Sequence, residues 1–207
     1  IFASVFIRCK KSEEQILPPQ FNTLEEEIDY YAGKYLHVGM VVGIIDKNQQ
    51  MRVFSYGSKT TAGIDPPDEH TVFEIGSINK SFTCLLAHQL KLSGLFNSEK
   101  AQDYLPADIT LPVEGNTDIT LYHLATHTSG IPRNPQHDGA ELPPSYSSAN
   151  PYAAFTTAYM YDYFTNHCNL LSAPGEKWEY SNSGMGLLGH IIGLCDTSTY
   201  ETVLKRE

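Results

Sequence analysis

Leu24, Ile28, Tyr31 and Tyr35 fall on one stripe at helical spacing, preceded by Thr23 with Glu26 three positions on. That is the pattern of a capping box leading into an amphipathic helix. Two β-rich runs follow, residues 38–45 and 51–56, around the polar stretch 46–50, and they predict a hairpin. Residues 58–70, with Gly63, Pro66 and Pro67, read as a loop. Residues 71–75 read as extended, and Phe82, Leu85, Leu86 and Leu90 mark one face of a helix that starts near Ser77 and runs to about Leu92. Beyond it the pattern is helical: a short helix over 121–126, a Pro-, Ser- and Asn-rich loop from Gly130 to about Pro151, and a helix over 152–166. An apolar helix in SGMGLLGHIIGLC comes next, then a last helix in STYETVLKRE, where Ser198 and Glu201 form a second capping box.

Helix and strands first, then helices alone, predict a mixed α/β (α+β) class with an antiparallel sheet flanked by helices. Residues 21–207 are expected to belong to one domain, 21–76 its sheet part and 77–207 its mostly helical part. Two or three strands shelter little apolar surface, so more strands are expected after Glu207 and the chain is expected to be truncated there. Residues 1–20 read as an N-terminal arm or a signal-peptide remnant, because IFASVFIRCKK runs from apolar residues into charge; Cys9 is then a candidate lipid attachment point.

The formal net charge of −10 leaves no basic patch to displace counterions from a phosphate backbone, so nucleic acid is excluded as an expected partner. No apolar run approaches the roughly 20 residues that cross a bilayer. Cys9, Cys84, Cys168 and Cys195 have no metal-binding spacing and read as unremarkable thiols rather than a disulfide framework.

Three stretches carry candidate chemistry. In FEIGSINKSFT, Ser77 stands at the predicted start of a helix, where the macrodipole favours a developing anion, and Lys80 lies three residues on along the same face. The pair reads either as a cap followed by a solvated charge or as a nucleophile and its base. In GEKWEYSNSGMGLLGH, Tyr180 reads either as a packed ring or as a proton relay facing the Ser–Lys pair, and Asn182 either as a helix cap or as a holder of a substrate amide. In ITLYHLATHTSGIP, His123 and His127 are four apart, but no acidic or cysteine ligand has matching spacing, so a short helix ending at Gly130 is favoured over a metal site.

These three motifs, in this order and at these separations, resemble the serine β-lactamase and penicillin-binding-protein superfamily. The nearest branch is that of class C β-lactamases with the related D-alanyl-D-alanine carboxypeptidases and esterases, and the resemblance covers roughly residue 38 to the end. It implies a β-lactamase/DD-peptidase-like fold, with a helical subdomain inserted into a sheet domain and the site in the cleft between them. It also implies that Ser77 is acylated, that Lys80 is its base partner, that Tyr180 shuttles protons and that Asn182 binds the substrate amide; half of the oxyanion hole would be the Ser77 N–H.

The expected activity is hydrolysis through an acyl-enzyme of β-lactams, D-Ala-D-Ala peptides or small esters, with an inert penicillin-binding-like sensor as the alternative. No cofactor and no metal is needed. The expected partner is a small molecule or a peptidoglycan peptide, and the family's habit places the protein in the periplasm or outside the cell. One departure counts against activity of this chain alone. The family's K-[ST]-G or HxG motif should follow the YxN helix, whereas His37-Val38-Gly39 and His137-Asp138-Gly139 precede it. Loss of one oxyanion donor typically costs about 10²–10³ in rate.

Overall fold

A computed structural model describes residues 19–36, 38–135, 145–150 and 152–207. The predicted signal remnant and Cys9 lie outside the described residues, as do His37 and His137-Asp138-Gly139. The chain divides into two compact units, one reaching Glu74 and the other running from Ile75 to Glu207.

The first unit holds α1 (Leu24–Tyr35), β1 (Gly39–Ile45) and β2 (Met51–Gly57). Thr23 caps α1 by accepting the Glu26 N–H at 3.2 Å, while the Glu26 carboxylate accepts the N–H of Asn22 at 2.8 Å rather than that of Thr23. The return bond of the predicted capping box therefore lands one residue early. β1 and β2 pair antiparallel, with Gly39 opposite Gly57 and Ile45 opposite Met51. The connection closes on Asp46, whose Oδ1 accepts the N–H groups of Asn48 and Gln50 at 2.8 and 2.9 Å. Of α1 only Ala32 is buried; Leu24 and Tyr35 of the predicted stripe are exposed. A two-stranded sheet has too little face to cover that stripe.

Residues 71–75 form no strand. The chain turns just before them, with the Thr71 N–H bonded to the Asp68 carbonyl at 3.1 Å, and no neighbouring strand pairs with them among the described residues.

The second unit holds α2 (Asn79–Leu92), α3 (Leu121–Ala125), α4 (Thr157–Asp162), α5 (Asn182–Cys195) and α6 (Tyr200–Arg206). α5 is apolar nearly all round, as a helix must be to lie at a centre. Leu187, Leu188, Ile191 and Ile192 are fully buried, and α2, α3 and α6 pack on it. That packing decides which face of α2 is inside: Thr83, Leu86 and Leu90 are buried, whereas Phe82 and Leu85 of the predicted face are exposed. α4 begins only at Thr157, because Thr156 caps it, and it passes into a wider π-type turn at Tyr163–His167. The cap of α6 is Thr199, one residue after the predicted Ser198, whose hydroxyl donates to Asp196 instead.

No helix among the described residues is long and apolar enough to cross a membrane. Cys84, Cys168 and Cys195 are free thiols, and burial pushes Cys168 and Cys195 up to about 11, so both are protonated and unreactive near neutrality.

Candidate active site

Gly76 has φ +52°, a left-handed conformation that an L side chain rarely adopts, and it turns the chain into a tight 3-10 turn, Gly76–Ile78, ahead of α2. Ser77 sits on that turn, exposed, and Lys80 lies in the first turn of α2. The three-residue spacing brings the Lys80 Nζ to 3.1 Å from the Ser77 Oγ, to which it donates. The expected spacing along one face is met, although Ser77 precedes the α-helix proper.

Tyr180 comes from the loop before α5 and is fixed by its neighbours. The carbonyls of His127, Thr128 and Gly130 accept the N–H groups of Glu179, Gly175 and Leu171 at 2.7, 2.7 and 2.8 Å, so the loop before Tyr180 is paired with residues 127–130. Ser181 then caps α5: its hydroxyl accepts the Gly184 N–H at 2.8 Å and donates to the Pro132 carbonyl at 2.9 Å. The N–H of Asn182 bonds to the Arg133 carbonyl at 2.8 Å. Held in this way, the Tyr180 hydroxyl donates to the Ser77 Oγ at 2.6 Å. Asn182 also lines the cleft, and its Nδ2 donates to the Asn134 Oδ1 at 3.0 Å.

Two residues that the sequence pattern did not single out as partners of the tyrosine surround it. The His127 ring lies 4.5 Å from that of Tyr180, and its Nδ1 accepts the Ser181 N–H at 3.2 Å, which requires the neutral ring. The Arg133 guanidinium lies 4.8 Å from the Tyr180 ring centre, and the Lys80 ammonium 5.0 Å from it. The Tyr180 phenol is held below the ordinary tyrosine value, first by its hydrogen bond with Lys80 and next by that with Ser77, with the charges of Lys80 and Arg133 adding. A cavity of about 550 Å³ opens beside these groups, and Met185, Gly186 and Gly189 of α5 form one wall.

Residues 24–207 match the family model described as Beta-lactamase. The chain belongs to the beta-lactamase family. A beta-lactamase of Pseudomonas fluorescens is 31% identical over 169 residues, which are 81% of this chain and 42% of that protein. The D-alanyl-D-alanine-carboxypeptidase/endopeptidase AmpH of Escherichia coli K12 is 27% identical over 200 residues, 94% of this chain and 49% of that one. Among solved structures, the beta-lactamase/D-alanine carboxypeptidase from Yersinia pestis complexed with citrate superposes with a TM-score of 0.72 at 26% identity, over 87% of this chain and 49% of that chain. The fold is thus the β-lactamase/DD-peptidase fold, and the chain spans about half the length, or somewhat less, of these relatives.

In this beta-lactamase-family chain the two histidines of ITLYHLATHTSGIP do separate jobs. His123 lies in α3, where its Nδ1 accepts the Thr120 N–H at 3.3 Å in a capping box. His127 lies past the helix end with φ +59° and therefore does not share a face with His123. Burial holds His123, His127 and His190 below the ordinary histidine value, and Lys80 adds to this at His127. A depressed native value means that the unfolded chain binds protons first as the pH drops. The stability these neutral rings provide is complete above about pH 6.5 and is lost as the pH falls through their native values. Thermal unfolding is accordingly expected to show a midpoint that declines as the pH falls below about 6.5, and His127→Gln should flatten the decline; a flat midpoint below that pH in the parent would contradict it.

Proposed function

We propose that the whole protein is a serine hydrolase acting through an acyl-enzyme, with Ser77 as nucleophile, Lys80 and Tyr180 as the groups that handle its proton, and Asn182 as the amide-binding residue. The observation that carries this reading is the convergence of the Lys80 ammonium and the Tyr180 hydroxyl on one oxygen, Ser77 Oγ, at 3.1 and 2.6 Å. Substrates are β-lactams, D-Ala-D-Ala peptides or small esters, in keeping with relatives named as beta-lactamase and D-alanyl-D-alanine-carboxypeptidase/endopeptidase. A peptidoglycan-peptide substrate would place the protein in the periplasm or outside the cell.

The chemistry follows from the contacts. As Ser77 Oγ attacks the substrate carbonyl carbon, its proton passes to the Lys80–Tyr180 pair once the phenol has given up its own, and the lowered titration of Tyr180 makes that phenolate easier to form. The carbonyl's bond to nitrogen or oxygen then breaks, and the pair returns that proton to the leaving atom. In the second half a water attacks the ester on Ser77 and yields a proton to the same pair. Ser77 Oγ recovers it as the acid product departs, so protons and atoms balance over the cycle. Charge developing on the carbonyl oxygen would be met by the Ser77 N–H, on the turn just before α2.

A fluorescent penicillin or a fluorophosphonate, followed by mass mapping, tests this reading on the whole protein. The expected adduct sits on the peptide containing Ser77. Rapid loss of the penicillin label would identify a lactamase or esterase, whereas a penicillin label that lasts for hours would identify a D-Ala-D-Ala peptidase or the inert sensor; the fluorophosphonate adduct is permanent and reports only the nucleophile. A folded protein that takes no label would end the nucleophile assignment. Tyr180→Phe should lower kcat by about 10²–10⁴ and remove the rise of rate with pH that the phenol produces.

A further inference from the structure

We propose that Arg133 is a positioning residue of this site: its guanidinium, laid against the Tyr180 ring, seats the phenol on Ser77 and holds positive potential around it. This rests on the acyl-enzyme reading above.

Backbone and side chain of Arg133 act on the same motif. Its carbonyl accepts the N–H groups of Asn182 and Ser183 at 2.8 and 3.2 Å, so it grips the residues that follow Tyr180. Its guanidinium then folds back to 4.8 Å from the Tyr180 ring centre, within the range of a cation–π contact. Several other cations are paired: Lys91 bonds Glu99, Lys100 bonds Asp118, Lys205 bonds Glu201 and Arg206 bonds Asp196. Among the described residues neither Arg133 nor Lys80 has a carboxylate within ion-pair distance.

The groups facing the phenol are thus Lys80 from α2 and His127 and Arg133 from the segment before the loop, and no carboxylate is among the causes that shift its titration. In a chain of net charge −10, two cations with no carboxylate partner among the described residues, set around one phenol, are a local inversion of sign. Its effect is to favour the phenolate, the form able to take the Ser77 proton. The Arg133 stem is exposed, so the contact is open to screening by salt.

Kinetics of the whole protein on a neutral ester, p-nitrophenyl acetate, test the assignment, with the Ser77 label measured in every variant. Arg133→Met is expected to move the phenol's acid limb of kcat/KM upward by about half a pH unit and to lower the rate below that limb about 2- to 5-fold, the equivalent of an exposed cation–π contact. Arg133→Lys should restore part of both, and 1 M salt, where the Debye length is about 3 Å, should bring the parent toward the methionine variant. An equal loss at every pH would show a merely structural role and overturn the proposal. A loss confined to carboxylate-bearing substrates such as nitrocefin, with the limb unmoved on the ester, would make Arg133 a reader of substrate charge and overturn it too. Absence of the Ser77 label from the parent would remove the acyl-enzyme reading and this inference with it; a normal label with an unmoved limb removes this inference alone.

Discussion

Ser77→Ala in the whole protein is expected to reduce hydrolysis by about 10⁴–10⁶ and to abolish covalent labelling, while leaving thermal stability within about 0.5 kcal/mol of the parent. The size of the loss follows from what one oxygen does here. It is the atom that would bond to the substrate, and it is also where the Lys80 ammonium and the Tyr180 hydroxyl meet. Removing it would leave the two groups proposed to handle its proton with nothing to act on, so their further replacement in an alanine background should cost little more, the non-additivity of residues that work as a unit. Stability is spared because Ser77 is exposed on the 3-10 turn and contributes nothing to the core built on α5. Steady-state hydrolysis of an activated ester beside a thermal melt checks both halves. More than about a hundredth of the parent rate in a folded alanine variant would move the nucleophile elsewhere.

Gly130→Ala is expected to have the largest effect on the fold and to carry the activity down with it. Gly130 has φ +73°, and a β-carbon there would lie 2.1 Å from the Ser172 carbonyl oxygen. The obstacle is backbone, so no side-chain rotation relieves it. The left-handed conformation costs about 1–3 kcal/mol in a non-glycine residue. Displacement of the chain at Ser172 adds to that, for a total of about 3–5 kcal/mol, or roughly 10 °C in Tm for a domain of about 150–250 residues. The segment that must move is bonded to residues 127–130 and leads to Tyr180. A displacement of about 1 Å at a reacting group can cost 10²-fold in rate, so the surviving folded fraction should be slow as well as unstable. Scanning calorimetry together with titration of active sites by fluorophosphonate separates the two losses. A variant as stable as the parent would show that the contact at Ser172 relaxes freely.

What could be read in the sequence depended on how local the determining contacts are. Thr23 before α1, the Asp46 turn, the extents of β1 and β2 and the end of α2 near Leu92 were all legible, because caps, turns and periodicity are set by neighbours in the chain. The inward face of α2 was misread at Phe82 and Leu85, since α5, a hundred residues later, decides it. Residues 71–75 have a strand's composition without a strand's partner. In the site, the spacing of Ser77 and Lys80 announced a shared face, while the motif order brought in Tyr180 and Asn182. His127 and Arg133 stayed hidden for opposite reasons. In the sequence His127 belongs to the end of a short helix, although its ring packs on a residue 53 positions away in the chain. Arg133 carried no motif at all, and only the folded path of the 127–133 segment lays it on the phenol.

The hydroxyl of Ser77 is the joint at which the groups from α2 and from the tyrosine loop meet. Once that oxygen is esterified it has no proton to give and becomes a poorer acceptor for both donors. The reaction itself would then loosen the clasp: the phenol and the ammonium are set free at the moment an incoming water needs them. The lifetime of the covalent state would accordingly be governed by how far those groups drift before water arrives, which makes the stiffness of the 127–133 anchorage a natural timer for turnover.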